Sequence, residues 1–108
     1  MQSPLSQTRA YADNIGRLRQ SFRAVGVEMA AHKIQVNAIA QNFADNPTCF
    51  PPEVQADSRF QERLKRGVPL GRLVGAREDA EFAAYLCSES ANCFVGQIFP
   101  VCGGWVAG

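Results

Sequence analysis

In the first part of the chain Ile15, Leu18, Phe22, Val25 and Met29 recur at alternating steps of three and four, with Arg17, Arg19, Gln20 and Arg23 between them. That spacing gathers the apolar set on one stripe and predicts an amphipathic helix over residues 11–31. Ahead of it MQSPLSQTR is polar, contains Pro4 and shows no period, so residues 1–10 are expected to be a disordered lead-in. The period then changes. Ile34, Val36, Ala38 and Ala40 alternate with Gln35, Asn37 and Ile39, predicting a strand over 34–40 whose second face is only partly polar. Such a strand belongs inside a sheet covered by helices on both sides.

Asn46-Pro47 and Pro51-Pro52 disfavour helix and ladder alike, so residues 45–52 are a loop. Residues 53–66 permit a polar helix with Val54, Phe60 and Leu64 as its apolar anchors; so sparse an anchorage beside a loop suggests a lid. Gly67, Gly71 and Gly75 punctuate a connector. A further helix is expected over 76–89, with Glu78, Asp79 and Glu81 in its first turns, where the backbone dipole favours negative charge, and Phe82, Tyr85 and Leu86 as a buried stripe. Residues 95–102 form a second strand. Pro100 lacks a ladder donor and so belongs at an edge or near the strand's end.

Two strands separated by helices lie parallel only through a crossover. The expectation is a three-layer α/β piece with two parallel strands, 34–40 and 95–102, and helices over 11–31, 53–66 and 76–89. A two-stranded parallel sheet is marginal alone, so either more chain or another copy completes it.

Composition narrows the function. With 108 residues the chain is one domain at most, able to bury roughly 65% of its unfolded surface. Apolar residues at 46% and charged residues at 19% describe a globular chain. A net charge of +1 offers no general attraction to nucleic acid or membrane, and neither is expected as a partner. The arginines of the first helix read as a solvated face. Cys49, Cys87, Cys93 and Cys102 form no C-x-x-C pair, and His32 is the single histidine, so no metal site is expected and the thiols should be reduced and partly buried. With no long apolar run and no leader pattern at the start, a cytoplasmic location is expected.

Candidate chemistry concentrates in KIQVNAIAQNFADNPTCFPP, a strand that runs into a polar, aromatic loop at its carboxyl end, where open parallel sheets place ligands. Asn42 and Phe43 at the strand end either face a ligand or cap a turn and pack below it. Phe50 and Trp105 either line an apolar substrate wall or belong to the core. Arg72 is placed to pair with Asp79 or to tie the connector to the sheet, and the serines show no nucleophile elbow.

Several spaced segments then point one way: Glu28 with Ile34 and Val36-Asn37-Ala38-Ile39, Val68-Pro69-Leu70-Gly71-Arg72, Glu78-Asp79-Ala80, Phe94-Val95-Gly96-Gln97-Ile98, and Gly103-Gly104. Over about residues 25–105 the chain resembles the C-terminal part of the short-chain dehydrogenase/reductase family. The resemblance implies a partial Rossmann-like fold, with residues 11–108 holding the last two strands of an NAD(P)-binding sheet. Asn42-Phe43, Asn46-Pro47-Thr48 and Phe50-Pro51 resemble the haloalcohol dehalogenase-like branch, where the corresponding loop fills the nicotinamide region and binds halide. Gln41 stands where that loop usually opens with proline, which argues against a rigid anion pocket.

By this resemblance Gln41, Asn42 and Phe43 are implied cofactor contacts, and Asn42, Phe43, Phe50 and Trp105 implied substrate contacts. Active members of the family carry a proton-donating tyrosine and, four residues later, a lysine that lowers its pKa. The usual spacing back from Asn37 puts Tyr11 in the tyrosine's place, the candidate catalytic residue, and Ile15 in the lysine's. An isoleucine cannot draw a phenol down from its ordinary pKa of about 10. None of the nine glycines forms a G-x-G-x-x-G or T-G-x-x-x-G-x-G loop, so NAD or NADP belongs to the complete fold and is not expected to bind this chain alone.

The implied function is the C-terminal, substrate-side segment of an NAD(P)-dependent short-chain oxidoreductase, inactive as the isolated chain. The alternatives are a haloalcohol dehalogenase-like lyase segment and a non-catalytic dimerising remnant. The implied partners are a second copy, joined through the C-terminal strand, and, in the complete fold, a small-molecule substrate.

Overall fold

The computed structural model describes residues 4–105, and the side chains of residues 9, 10 and 12–105. Its elements in chain order are α1 (Pro4–Ala30), β1 (Ala38–Gln41), α2 (Pro52–Gln55), α3 (Ser58–Gly67), α4 (Ala76–Leu86), a 3₁₀ turn (Glu89–Ala91) and β2 (Ile98–Val101). The strands pair in parallel, Ala38 opposite Ile98 through Gln41 opposite Val101. Two parallel strands with intervening helices are the predicted α/β arrangement.

α1 carries the predicted stripe, and its helical geometry reaches back to Pro4. Ile15 is buried and Phe22 and Met29 half-buried, but Leu18 stays 52% and Val25 46% exposed. The period is helical, but only part of the stripe is covered. The helix ends in a Schellman turn: Lys33 takes φ 60, its N–H donates to the Ala30 carbonyl (3.0 Å), and the Ile34 N–H reaches the Met29 carbonyl (3.1 Å). Further up, Gly26 lies against Gly96; a Cβ on Gly26 would stand 2.5 Å from the Gly96 Cα, and one on Gly96 would stand 2.5 Å from the Phe22 carbonyl oxygen. Backbone touches backbone where α1 crosses the turn into β2, an approach open only to residues without a side chain.

The ladder is shorter than the predicted 34–40 and 95–102, and side chains account for the difference. Asn37 Nδ2 donates to the Phe94 carbonyl (3.1 Å), and Asn37 Oδ1 accepts from the Gln97 N–H (2.9 Å). Gln35 Nε2 donates to the Ala91 carbonyl and to that of Phe94 (3.3 Å). These amides hold the two segments side by side where Gly96, at φ 64, turns the chain out of ladder geometry.

The polar stretch predicted as one helix over 53–66 is two, because Asp57 leaves helical geometry (ψ 126) and caps α3 by accepting from the Arg59 N–H at 2.8 Å. The lid expectation is corrected here as well. Phe60, Leu64 (2% exposed) and Val68 (1%) form a buried cluster, and Phe43, Phe50, Leu73 and Trp105 pack against it. α3 is therefore anchored in the core rather than loosely laid over it. Val54, expected as a third anchor, is exposed.

α4 stops at Leu86 instead of continuing to 89, and Tyr85 of its expected buried stripe is 43% exposed. Phe82 meets Phe99 edge-on at 5.3 Å, and Phe94 meets Phe99 likewise at 5.3 Å, which fixes α4 to β2. All four cysteines are free thiols, but only Cys102 is buried; Cys49, Cys87 and Cys93 are exposed, against the expected partial burial. Among the described residues no helix is long and apolar enough to cross a membrane.

Candidate functional site

β1 ends at Gln41, and the chain turns at once. The Asn42 N–H still donates to the Val101 carbonyl (3.1 Å), while Asn42 Oδ1 accepts from the Phe43 N–H (2.8 Å) and Phe43 takes φ 51. A short amide that bonds the next backbone N–H is the local device that lets a non-glycine residue enter the left-handed region. Past the turn, the Val74 N–H donates to the Phe43 carbonyl and the Asp45 N–H to the Val74 carbonyl, both at 2.8 Å, bridging the loop to the segment before α4.

Asn46 builds the next bend, donating from Nδ2 to the Ala44 carbonyl (2.9 Å) and accepting at Oδ1 from the Cys49 N–H (2.8 Å). Gln55 Nε2 then donates to Asp45 Oδ1 (2.9 Å) and to the Phe50 carbonyl (2.7 Å), closing the loop on itself. This order brings the aromatic residues together. Phe43 stacks on Phe50 with centroids 6.0 Å apart and meets Trp105 edge-on at 5.4 Å, and Phe50 leans on Phe60 at 5.6 Å.

Of the residues singled out from sequence, Phe43, Phe50 and Trp105 thus share one cluster past the carboxyl end of β1, and Asn42 builds the turn that leads into it. Gln41 adjoins it, but its Nε2 donates to Asp79 Oδ2 on α4. Tyr11 falls within α1, and its side chain lies outside the described residues. Ile15, in the lysine's place, is buried. Asn42, Phe43, Phe50 and Trp105 carry no group that exchanges protons near neutral pH, so these four side chains supply no acid or base.

Arg72 pairs with Glu78 and not with Asp79. Its Nη1 stands 2.6 Å from Glu78 Oε1 and its Nη2 3.2 Å from Oε2, a two-pronged contact, and Glu78 Oε1 also accepts from the Gly75 N–H at 2.9 Å. Asp79 Oδ1, by contrast, is buried without a hydrogen-bond partner. The spacing G-x-x-E at 75–78 is a readable helix-start signal; the bond from Gln41 to Asp79 and the clamps made by Gln35 and Asn37 have no local signature, because their partners lie 38 to 60 residues away.

The Arg72 hydrogen bond, then the Gly75 N–H, hold the Glu78 carboxyl at about 2, well below its ordinary 4.5, and the same contact raises Arg72. A carboxylate depressed in the folded state adds stability that is complete above about 4.5 and lost as the pH falls toward 2. Glu78→Gln is therefore expected to flatten the acid limb of a stability–pH curve between those values; a limb identical to the parent's would show that the pair makes no net contribution. The effect should be small, since both side chains are more than half exposed.

A family model described as enoyl-(acyl carrier protein) reductase matches residues 2–106. The chain is 38% identical over 87 residues to a cis-4-hydroxycyclohexanecarboxylate dehydrogenase of Sinomonas cyclohexanicum, covering 79% of this chain and 32% of that one. Among solved structures, a halohydrin dehalogenase bound to ethyl (2S)-oxiran-2-ylacetate aligns with TM-score 0.72 and 29% identity, over 80% of this chain and 36% of that one. A 3-ketoacyl-(acyl-carrier-protein) reductase of Brucella melitensis complexed with NADH aligns with TM-score 0.61 and 28% identity, over 84% and 34%. The chain spans about a third of the length of the curated relatives it matches.

Proposed function

The chain belongs to the short-chain dehydrogenase/reductase family, and we propose that it forms the substrate-side, C-terminal segment of an NAD(P)-dependent oxidoreductase. The observation that carries this is the meeting of Phe43, Phe50 and Trp105, behind the turn built by Asn42, at the carboxyl end of a parallel strand, the end where sheets of this class hold ligands. In this reading the aromatic cluster contacts the substrate, and Gln41, Asn42 and Phe43 border the nicotinamide end of the cofactor. Tyr11 is the proton donor of the reading, with Ile15 unable to assist it. Bound NAD(P) would supply the hydride; these 108 residues lack the glycine loop that cradles a pyrophosphate, so they do not fit the whole cofactor.

The isolated chain is accordingly inactive and does not hold NAD(P)H. Calorimetric titration with NADH and NADPH should show no saturation below about 1 mM. A chimera in which residues 25–108 replace the corresponding part of a ketone-reducing relative should bind the cofactor and turn over, with Phe43→Ala and Trp105→Ala changing kcat/KM by about tenfold or more. Saturable binding by the isolated chain, or a chimera indifferent to both substitutions, would overturn this reading.

A dehalogenase-like lyase is the second reading, favoured by the Asn42-Phe43 turn and the Asn46-built bend that follows it, and by the similarity to a halohydrin dehalogenase. Chloride release from a vicinal haloalcohol by the same chimera separates the two. As for partners, the reading keeps a second copy joined through the C-terminal strand around Ile98, and the groove beside β2, lined by Val74, Glu78, Phe82, Phe99, Pro100 and Val101, offers it apolar surface. In a dimerising remnant this would be the whole function. The reading also keeps a small-molecule substrate and a cytoplasmic setting.

A further inference from the structure

α3 holds a charge arrangement that its own stability as a helix does not account for. Arg59, Arg63, Lys65 and Arg66 stand against the single acid Glu62 within Ser58–Gly67, whereas the whole chain carries only +1, so positive charge is concentrated here. Lys65 and Arg66 in the last turn suit the backbone dipole, but Arg59 lies in the first turn, at the end that repels cations, and the first turn holds no acid. Arg59, Arg63 and Arg66 follow one another at steps of four and three, which sets like charges side by side on one helix face and weakens the helix. Among the described residues no carboxylate pairs with Arg63 or Arg66, and Arg59 has only Asp57 at 3.7 Å, with its own side chain 90% exposed. The three arginines line a groove of about 470 Å³ beside α2, with Val54 and Phe60 as its apolar part and Asp57 and Glu62 as its acids. Asp57 is taken up in capping α3. Arg63 lies over the Phe60 ring, 5.7 Å from its centroid, and Phe60 leans on Phe50 at 5.6 Å, so this guanidinium is held against a ring fixed in the core.

We propose that the groove between α2 and α3 is a binding site for a small amphiphilic anion, an alkyl carboxylate or an alkyl phosphate ester, held by Arg63 and Arg66 with Arg59 beside them. A planar guanidinium bonds either anion through two parallel N–H groups, and the incoming negative charge relieves the repulsion along the row. Val54, 37% exposed, gives the alkyl part a surface to cover. Three arginines against two acids leave the groove cationic by one charge, which suits a small anion and makes Glu62 an opponent of binding. A polyanion is a poorer occupant, because outside α3 the chain is acidic in balance and continues no cationic track. The inference goes beyond the proposed function and draws on neither the cofactor nor the catalytic reading.

The test is titration of the 108-residue chain with hexyl phosphate and with hexanoate at low salt, followed by the NMR signals of the arginine side-chain Nε–H groups. At least one probe should saturate with a Kd below about 1 mM, moving Arg63 and Arg66 and leaving Arg77, which is paired with Glu81, in place. Which probe binds tells carboxylate from phosphate ester. Inorganic phosphate and acetate should bind about tenfold more weakly than their alkyl counterparts, the gain from about two methylenes lying on the groove floor. Arg63→Gln and Arg66→Gln should each weaken binding at least about fivefold, and Lys65→Gln, outside the groove, should not. Glu62→Gln removes the opposing charge and should tighten binding about threefold, a gain that loss of the fold cannot imitate. No saturation by either probe below about 1 mM, shifts spread evenly over all the arginines, alkyl probes no better than the bare anions, or an affinity unmoved by Glu62→Gln would each overturn the proposal. NADH and the chimera do not enter, so this outcome is read apart from that of the proposed function.

Discussion

Gly96→Ala is expected to lower the thermal midpoint of the chain by roughly 10–30 °C, or to abolish a cooperative transition altogether. A Cβ at this position would sit 2.5 Å from the Phe22 carbonyl oxygen and 2.7 Å from the Arg23 Cα, both backbone atoms of α1, which cannot swing aside as a side-chain tip can. Overpacking of this kind costs about 1–3 kcal/mol, and φ 64 adds about 1–2 kcal/mol for any residue with a Cβ. The sum is a large part of what holds a small domain together. Gly16→Ala is the control: it lies within α1 with nothing within 4 Å of the added methyl, so it should stabilise by about 0.5–1 kcal/mol. A Gly96→Ala protein that melts within about 2 °C of its parent would mean that α1 does not cross the turn before β2 in backbone contact.

Asn37→Ala should remove about 2–3 kcal/mol, read as a lower denaturant midpoint at unchanged slope. Both ends of this amide are used, on groups 57 and 60 residues away, and truncation removes the Gln97 N–H's partner and leaves the Phe94 carbonyl with the longer bond from Gln35 alone. Asn37→Asp keeps the acceptor for Gln97 but turns an anionic oxygen toward the Phe94 carbonyl, so it should be no better than alanine. Gln35→Ala, at a more exposed position, should cost less than half as much. A loss below about 0.5 kcal/mol at Asn37 would assign the alignment of the strands to the four-residue ladder alone.

These two residues also show where the sequence was legible. The apolar period of α1, the two parallel strands and the helix-forming stretches could be read because each is written in neighbouring residues. The break between α2 and α3 was also local, since Asp57 caps α3, but a polar helix pattern without an apolar interruption masked it. Long-range facts were hidden. VNAI announces a strand, yet nothing near Asn37 says that its side chain takes over where the ladder stops. The same holds for Gly26 and Gly96, which become necessary only once they meet. In the candidate site, Asn42 bonds the Phe43 N–H in the turn, and Phe50 and Trp105 rest on the Phe60 cluster, contacts that no spacing in the sequence announces.

The end of β1 and the start of α4 are joined at two points, Gln41 with Asp79 and the bridge of Ala44 with Val74, and Arg72 with Glu78 braces the connector that leads into the helix. A linkage with so many braces has little give. A ligand settling at the tip of the strand is therefore expected to be felt at the start of the helix. Through Phe82 and Phe99, that effect is passed on to β2.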